Sequence, residues 1–151
     1  MCYALKGNYT RYKAIKAAQY VRLASLTKEL WTAAMVAQIQ RQKYFRWHDA
    51  GDVQDVQHLE KIFEVCRLTP DTKHWMPTRE AWIKDHLTSK PDNLVIRFSP
   101  PMIGQENTTW PNSSMVVTEG ASCPAPSQGN SCGDCRQCWD PAVKVVSYGK
   151  H

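Results

Sequence analysis

Asn93-Leu94-Val95-Ile96-Arg97-Phe98-Ser99 is the stretch that decides the fold: Leu94, Val95, Ile96 and Phe98 make a short run rich in β-branched and aromatic residues, which reads as a buried strand. Working outward, residues 73–77 read as a second short strand and residues 43–48 as a third, with Phe45 and Trp47 on one side. Between them, residues 55–67 carry Val56, Leu59, Ile62, Phe63 and Cys66 at helical spacing, and residues 78–87 read as a further helix capped by Thr78. Strand–helix alternation with short loops implies an α/β domain with a small, mainly parallel sheet and flanking helices. Residues 100–113 read as a polar, proline-containing loop. Residues 115–118 and 143–148 are candidate further strands.

From Thr10 to Gln42 the pattern is different. Ile15, Ala18, Val21 and Ala24, then Trp31, Ala34, Met35, Ala37 and Ile39, recur at steps of three and four without Gly or Pro, which predicts two consecutive helices. The break falls near residues 25–27, with Thr27 capping the second helix. The 151 residues thus form one expected domain: a basic helical segment (1–42), strand–helix repeats (43–99), and a loop with a cysteine-rich tail (100–151).

The formal charge of +5 is unevenly placed. Residues 1–46 hold nine Lys/Arg against the single acid Glu29, whereas the rest of the chain is net acidic. Such a segment suits a polyanionic or acidic partner, although a solvated helix face gives the same composition. Arg11, Lys13, Lys16 and Arg22 are the candidate contacts. Tyr9 and Tyr12 interleave with them and suit stacking on bases, or ordinary boundary packing. No apolar run approaches a membrane span, and the start lacks a secretory h-region, so a cytoplasmic protein is expected.

The tail holds the strongest chemical signal. Cys123, Cys132, Cys135 and Cys138 fall within sixteen residues rich in Gly, Pro, Ser and Asn, whereas only Cys2 and Cys66 lie elsewhere. Thiols at i, i+3 and i+6 with a separate Cys-Pro match iron–sulfur spacing, so a [4Fe–4S] cluster is the first expectation. Zinc is the alternative, though its structural sites favour two separated C-x2-C knuckles. Disulfides fit poorly with the absence of a secretory signal. Cys2 is the reserve ligand, and Cys66 reads as a buried small hydrophobe. The metal is expected to pin the 123–151 tail onto the sheet, since this long loop has too few apolar residues to order itself.

In parallel α/β sheets ligands gather at the carboxyl ends of strands. That edge is expected to hold His48, Asp49 and Asp52 after the first strand, Thr78 and Arg79 after the second, and Ser99 with two prolines after the third. His48, Asp49, Asp52 and Arg79 are the candidate catalytic residues, with His48 and Asp49 as an acid–base pair or His48 as an outer-shell partner of the metal. Turn formation around Gly51 is the commoner use of such aspartates. His58 and His86 read as surface or capping residues, and His74 as either.

Residues 2–9 (Cys-Tyr-Ala-Leu-Lys-Gly-Asn-Tyr), 46–52 (Arg-Trp-His-Asp-Ala-Gly-Asp), 73–79 (Lys-His-Trp-Met-Pro-Thr-Arg) and the closing Cys123-Pro124 with residues 132–139 together resemble the phage and prophage "gene product eighty-eight" proteins. These in turn look like reduced radical SAM enzymes, so the resemblance implies a partial (β/α) barrel with a cluster near the first strand and cofactor binding at strand ends. A radical SAM cluster needs three closely spaced N-terminal cysteines, and here only Cys2 stands there. The chain is therefore expected to be a shorter or truncated version. Four tail thiolates around a cluster leave no iron open, which favours a non-enzymatic role.

The leading expectation is a phage- or mobile-element-encoded metal protein that binds nucleic acid, or a nucleic-acid-bound host complex, through its basic N-terminal face. Two alternatives are a small inhibitor of a host defence system such as an anti-CRISPR, and a radical SAM-like or redox enzyme.

Overall fold

The structure, a computed structural model, describes residues 8–49 and 51–150, with the side chains of residues 8 and 9 outside that description. In chain order it contains α1 (Asn8–Arg11), α2 (Lys13–Ser25), α3 (Trp31–Ile39), β1 (Tyr44–Arg46), α4 (Val56–Leu68), β2 (Lys73–Thr78), a 3-10 helix (Ala81–Ser89), β3 (Leu94–Phe98), β4 (Ser113–Val117), 3-10 turns at Ala125–Gln128 and Gln137–Trp139, and β5 (Val145–Gly149). The five strands form one sheet in the order β1-β2-β3-β4-β5, every neighbouring pair parallel, and the sheet curls into a half-barrel. The parallel α/β sheet expected from the strand–helix pattern, and the partial barrel that the family resemblance implies, are the fold.

Local chemistry explains most of the element boundaries. The Asp55 carboxylate accepts from the His58 backbone N–H at 2.7 Å and caps α4, whose Leu59, Ile62, Phe63, Val65 and Cys66 form the buried stripe. Thr78 does not cap a helix. It is the last residue of β2, and its hydroxyl donates to Asp52 Oδ1 at 2.7 Å while accepting from the Glu80 N–H at 3.0 Å. The segment after it winds as 3-10 rather than α helix; Ile83 is its one buried residue, and the 3-10 rise of about 2.0 Å per residue carries nine residues further than an α helix would. Thr27 also has another role: its hydroxyl donates back to Ala24 O at 3.1 Å, closing α2, and α3 starts four residues later.

Alternation along the strands builds two cores. His74, Met76, Leu94 and Ile96 face α3 and α4, where Ile39, Trp47, Val53, Leu59, Ile62, Phe63, Ile83 and Trp110 complete the main core. On the opposite face Trp75 and Val146 meet Cys138, with Cys123, Trp139, Val143 and Tyr148 packed around them. The β4-to-β5 connection therefore covers the second face of the sheet.

Arg97 fixes that cover. It points to the tail-covered face of β3 and is 0% exposed. Its Nε donates to Cys138 O (3.0 Å), one terminal nitrogen to Val143 O (2.9 Å) and Ser113 O (3.3 Å), and the other to Gln137 O (2.7 Å) and Asp140 O (2.9 Å). Asn112 adds bonds to Pro141 O and Val143 O at 2.9 and 3.0 Å. No ion pair joins Arg97 to a carboxylate among the described residues. Carbonyl dipoles satisfy the guanidinium, and because it holds its proton at all ordinary pH values they also carry its charge.

Arg97→Met is expected to destabilise the fold by about 3–5 kcal/mol, since several buried carbonyls lose their donors at once. Arg97→Lys should lose nearly as much, because an ammonium has three donors and no planar fork. Urea unfolding, together with limited proteolysis mapped to residues 118–144, tests this. Wild-type stability and tail protection in Arg97→Lys would overturn it.

Candidate functional site

Two places concentrate chemistry. The first is the thiol group on the tail-covered face. Cys138 is buried, Cys123 and Cys135 are half-buried and Cys132 is exposed, all as free thiols. Cys123 is tied to β5 by its N–H to Ser147 O at 3.0 Å, and Cys135 N–H donates to Cys132 O at 2.9 Å, closing the turn of the C-x2-C segment. Cys138 Sγ lies 3.1 Å from the Tyr148 hydroxyl. Burial raises the Cys138 pKa, and the thiols of Cys123 and Cys132 are near enough to push it the same way, whereas the Tyr148 hydrogen bond and Arg97 oppose this. Burial likewise raises Tyr148. Cys123 and Cys138 pack in one cluster. As placed, no three His, Cys, Asp or Glu side chains form a metal-holding group among the described residues. Cys2 lies outside those residues. Cys66 belongs to the main core, on the other face, and burial pushes its thiol up to about 12.

The second place is the carboxyl edge of β1 and β2. His48 sits there in the left-handed region (φ 54°), followed by Gly51 at φ 88°. A non-glycine residue in that region carries backbone strain of about 1–3 kcal/mol. Both His48 ring nitrogens are buried without a hydrogen-bond partner among the described residues, and burial pushes its pKa down to about 4. The ring stands 5.7 Å from that of His58, in edge contact. His58, expected at the surface, is 8% exposed, and its Nδ1 accepts from the Gln54 N–H at 3.3 Å. Its other ring contact is with Trp31, at 5.7 Å.

The remaining candidates at this edge do not converge on one reacting centre. Asp52 is committed to structure: Oδ1 accepts from the Thr78 hydroxyl and the Val53 N–H, and Oδ2 accepts from the Arg79 N–H at 2.7 Å. It straps the loop after β1 to the end of β2. The Arg79 side chain is exposed and reaches Pro100 O at 3.4 Å. Asp49 is exposed and stands 4.0 Å from Arg46. His86 is a half-buried ring against Trp82 at 5.9 Å.

Of the candidate partner contacts, Arg11, Tyr12, Lys13, Lys16 and Arg22 are all exposed, and α2 has no buried residue. The Tyr9 side chain lies outside the described residues. The site residues that the sequence hides are Arg97 and Tyr148; a lone arginine within Leu-Val-Ile-Arg-Phe is the one available hint of a buried charge.

Two neutral histidines set an acid limit. His48 and fully buried His74, whose Nε2 meets the Thr69 hydroxyl at 2.9 Å, are both lowered to about 4 by burial, below the 6.5 of the open chain. The unfolded chain therefore binds more protons between those values. The histidine contribution to stability should be level above pH 7 and fall as pH drops from 6.5 toward 4, with a slope approaching about 1.4 kcal/mol per pH unit for each histidine. Urea midpoints across that range test this, and a His74→Gln variant should show the shallower slope. Equal slopes in the two proteins would contradict the assignment.

The family model described as Gene product 88 matches residues 1–118. That span holds the basic helices, β1 to β4 and the strand-end edge, and it stops before Cys123. No curated protein and no solved structure matches the chain.

Proposed function

This chain belongs to the Gene product 88 family of phage proteins, and on that footing we propose that it binds nucleic acid, or a host complex carrying nucleic acid, through its basic N-terminal helices. The observation that carries the reading is the exposure of α2. A helix of thirteen residues with no buried side chain adds little to the core, and yet Lys13, Lys16 and Arg22 project from it, with Arg11 just before. Among the described residues none of these four cations is ion-paired; the one ion pair is Arg46 with Asp49. Unneutralised cations on an otherwise idle helix suit phosphate contacts. No helix among the described residues is long and apolar enough to cross a membrane.

The second element of the proposal is a thiolate metal centre on Cys123, Cys132, Cys135 and Cys138, an iron–sulfur cluster first and zinc second. Soft sulfur donors suit both, and Cys123 and Cys138 already pack in one cluster. Completing the set requires the segment around Cys132 and Cys135 to fold in toward them. The centre would be structural or redox-active. Inhibition of a host defence complex is one way such a protein would act on a nucleic-acid-bound target.

Neutralising Lys13 and Lys16 together to Gln is expected to weaken oligonucleotide binding and to flatten the log–log salt dependence by about 1.5–2. Binding and salt dependence equal to wild type would remove the helical face from the proposal. For the metal, anaerobic purification with metal analysis and an absorption spectrum should show less metal in Cys135→Ser and unchanged metal in Cys66→Ser. Because Arg97 holds residues 137–143, loosening in Cys135→Ser should be confined to residues 123–135. Equal metal content in Cys135→Ser and wild type would overturn the centre.

A further inference from the structure

A second surface, separate from α2, brings rings and cations together on the edge strand. Tyr44 of β1, Trp75 of β2 and Trp139 of the tail turn meet edge to face, with centroids 5.6 Å apart for Tyr44–Trp139 and 5.3 Å for Trp75–Trp139. Trp139 is locked in place by its indole N–H, which donates to Phe45 O at 3.0 Å. Three cations lie over these rings: the Arg46 guanidinium 4.9 Å from the Trp75 centroid, that of Arg136 4.7 Å from Tyr44, and the Lys43 ammonium 5.9 Å from Tyr44. Trp75 is 6% exposed, and its indole N–H has no hydrogen-bond partner among the described residues. Lys43 and Arg46 are exposed, and Tyr44, Arg136 and Trp139 are half-buried. β1 lies at the edge of the sheet, and among the described residues no further strand pairs with it.

We infer that this cluster is a binding platform for a single-stranded nucleic acid segment, an inference that rests on the nucleic-acid reading above. Stacked arginines present a flat face to an unstacked base. One terminal nitrogen of Arg136 is held by Gly133 O and Cys135 O at 2.6 and 2.7 Å, and one of Arg46 stands 4.0 Å from Asp49, which leaves their remaining N–H groups for phosphate. A duplex keeps its base faces buried against one another, so rings paired with guanidinium planes act on single strands. Charge complementarity names the occupant. Lys43 and Arg46 belong to the N-terminal third that carries one acid against nine cations, and Arg136 extends the positive charge from the tail. The exposed helix α2 would grip phosphates irrespective of strandedness, and the Tyr44–Trp139 platform would add the preference for unpaired bases.

The test is fluorescence anisotropy with a labelled single-stranded RNA or DNA oligonucleotide and its duplex, using wild type, Tyr44→Leu, Arg46→Gln, and the Lys13/Lys16 double variant. Tyr44→Leu keeps an apolar side chain in place, and its unfolding midpoint is measured alongside to show that it folds. The expected result is about 5- to 100-fold weaker single-strand binding by Tyr44→Leu with duplex binding little changed. Arg46→Gln should also lose single-strand affinity, with a shallower salt dependence. The Lys13/Lys16 variant should instead weaken single-strand and duplex binding alike. If wild type binds single strands and the folded Tyr44→Leu protein binds them equally well, the platform is overturned while the helical reading stands. If wild type binds neither form, or binds poly-glutamate as tightly as it binds the oligonucleotide, both fall.

Discussion

The buried guanidinium of Arg97 is the constraint on which the second half of the structure depends. A half-barrel has two faces to cover, and α3 and α4 cover one of them with a conventional apolar core. The other is covered by a connection of Gly, Pro, Ser and Asn with few apolar residues of its own. Such a segment does not bury enough apolar surface to offset its ordering entropy. Arg97 supplies what composition lacks, because one side chain bonds the carbonyls of Gln137, Cys138, Asp140 and Val143 and a donor-rich fork holds several backbone groups at once. Trp139 and Val143 then add the apolar contact that closes the face.

That arrangement ties the distal tail to the sheet through its backbone. Arg97 and the Trp139 indole bond both hold the turn at residues 137–139, so this part of the tail has its own tie to the sheet. Of the other tail thiols, Cys123 packs half-buried against the same cluster, Cys135 is half-buried and Cys132 is exposed. The Gene product 88 match ends before these cysteines.

A second coupling runs through the aromatic rings. On one face Trp47 stacks on His74 at 5.9 Å and on Trp31 at 6.4 Å, connecting α3, the end of β1 and β2. On the other, Trp75 and Trp139 join β2 to the tail. His48 lies at the margin of the first group, neutral and strained, at a strand end where parallel sheets gather ligands. Asp52 keeps the loop after β1 in place by its three hydrogen bonds, which explains why turn-forming residues and ionisable ones are interleaved there.

The parallel α/β class and the place of nearly every strand are legible in the sequence, because apolar periodicity is local: residues 94–98, 73–78 and 44–46 fall within a residue or two of their expected bounds, and Asp55 opens α4. It also placed Cys66 in the core and the basic residues of α2 on the surface. Tertiary structure alone decided the rest. Arg97 looks like one polar residue in a strand until the carbonyls of residues 137–143 close on it, some forty residues along the chain. His58 and His74 became buried neutral rings, Asp52 a strap, and Tyr44, Trp75 and Trp139 one cluster, through contacts between elements far apart in sequence. Periodicity reports which face a residue takes; what it meets on that face depends on how the sheet curls and which segment returns to cover it.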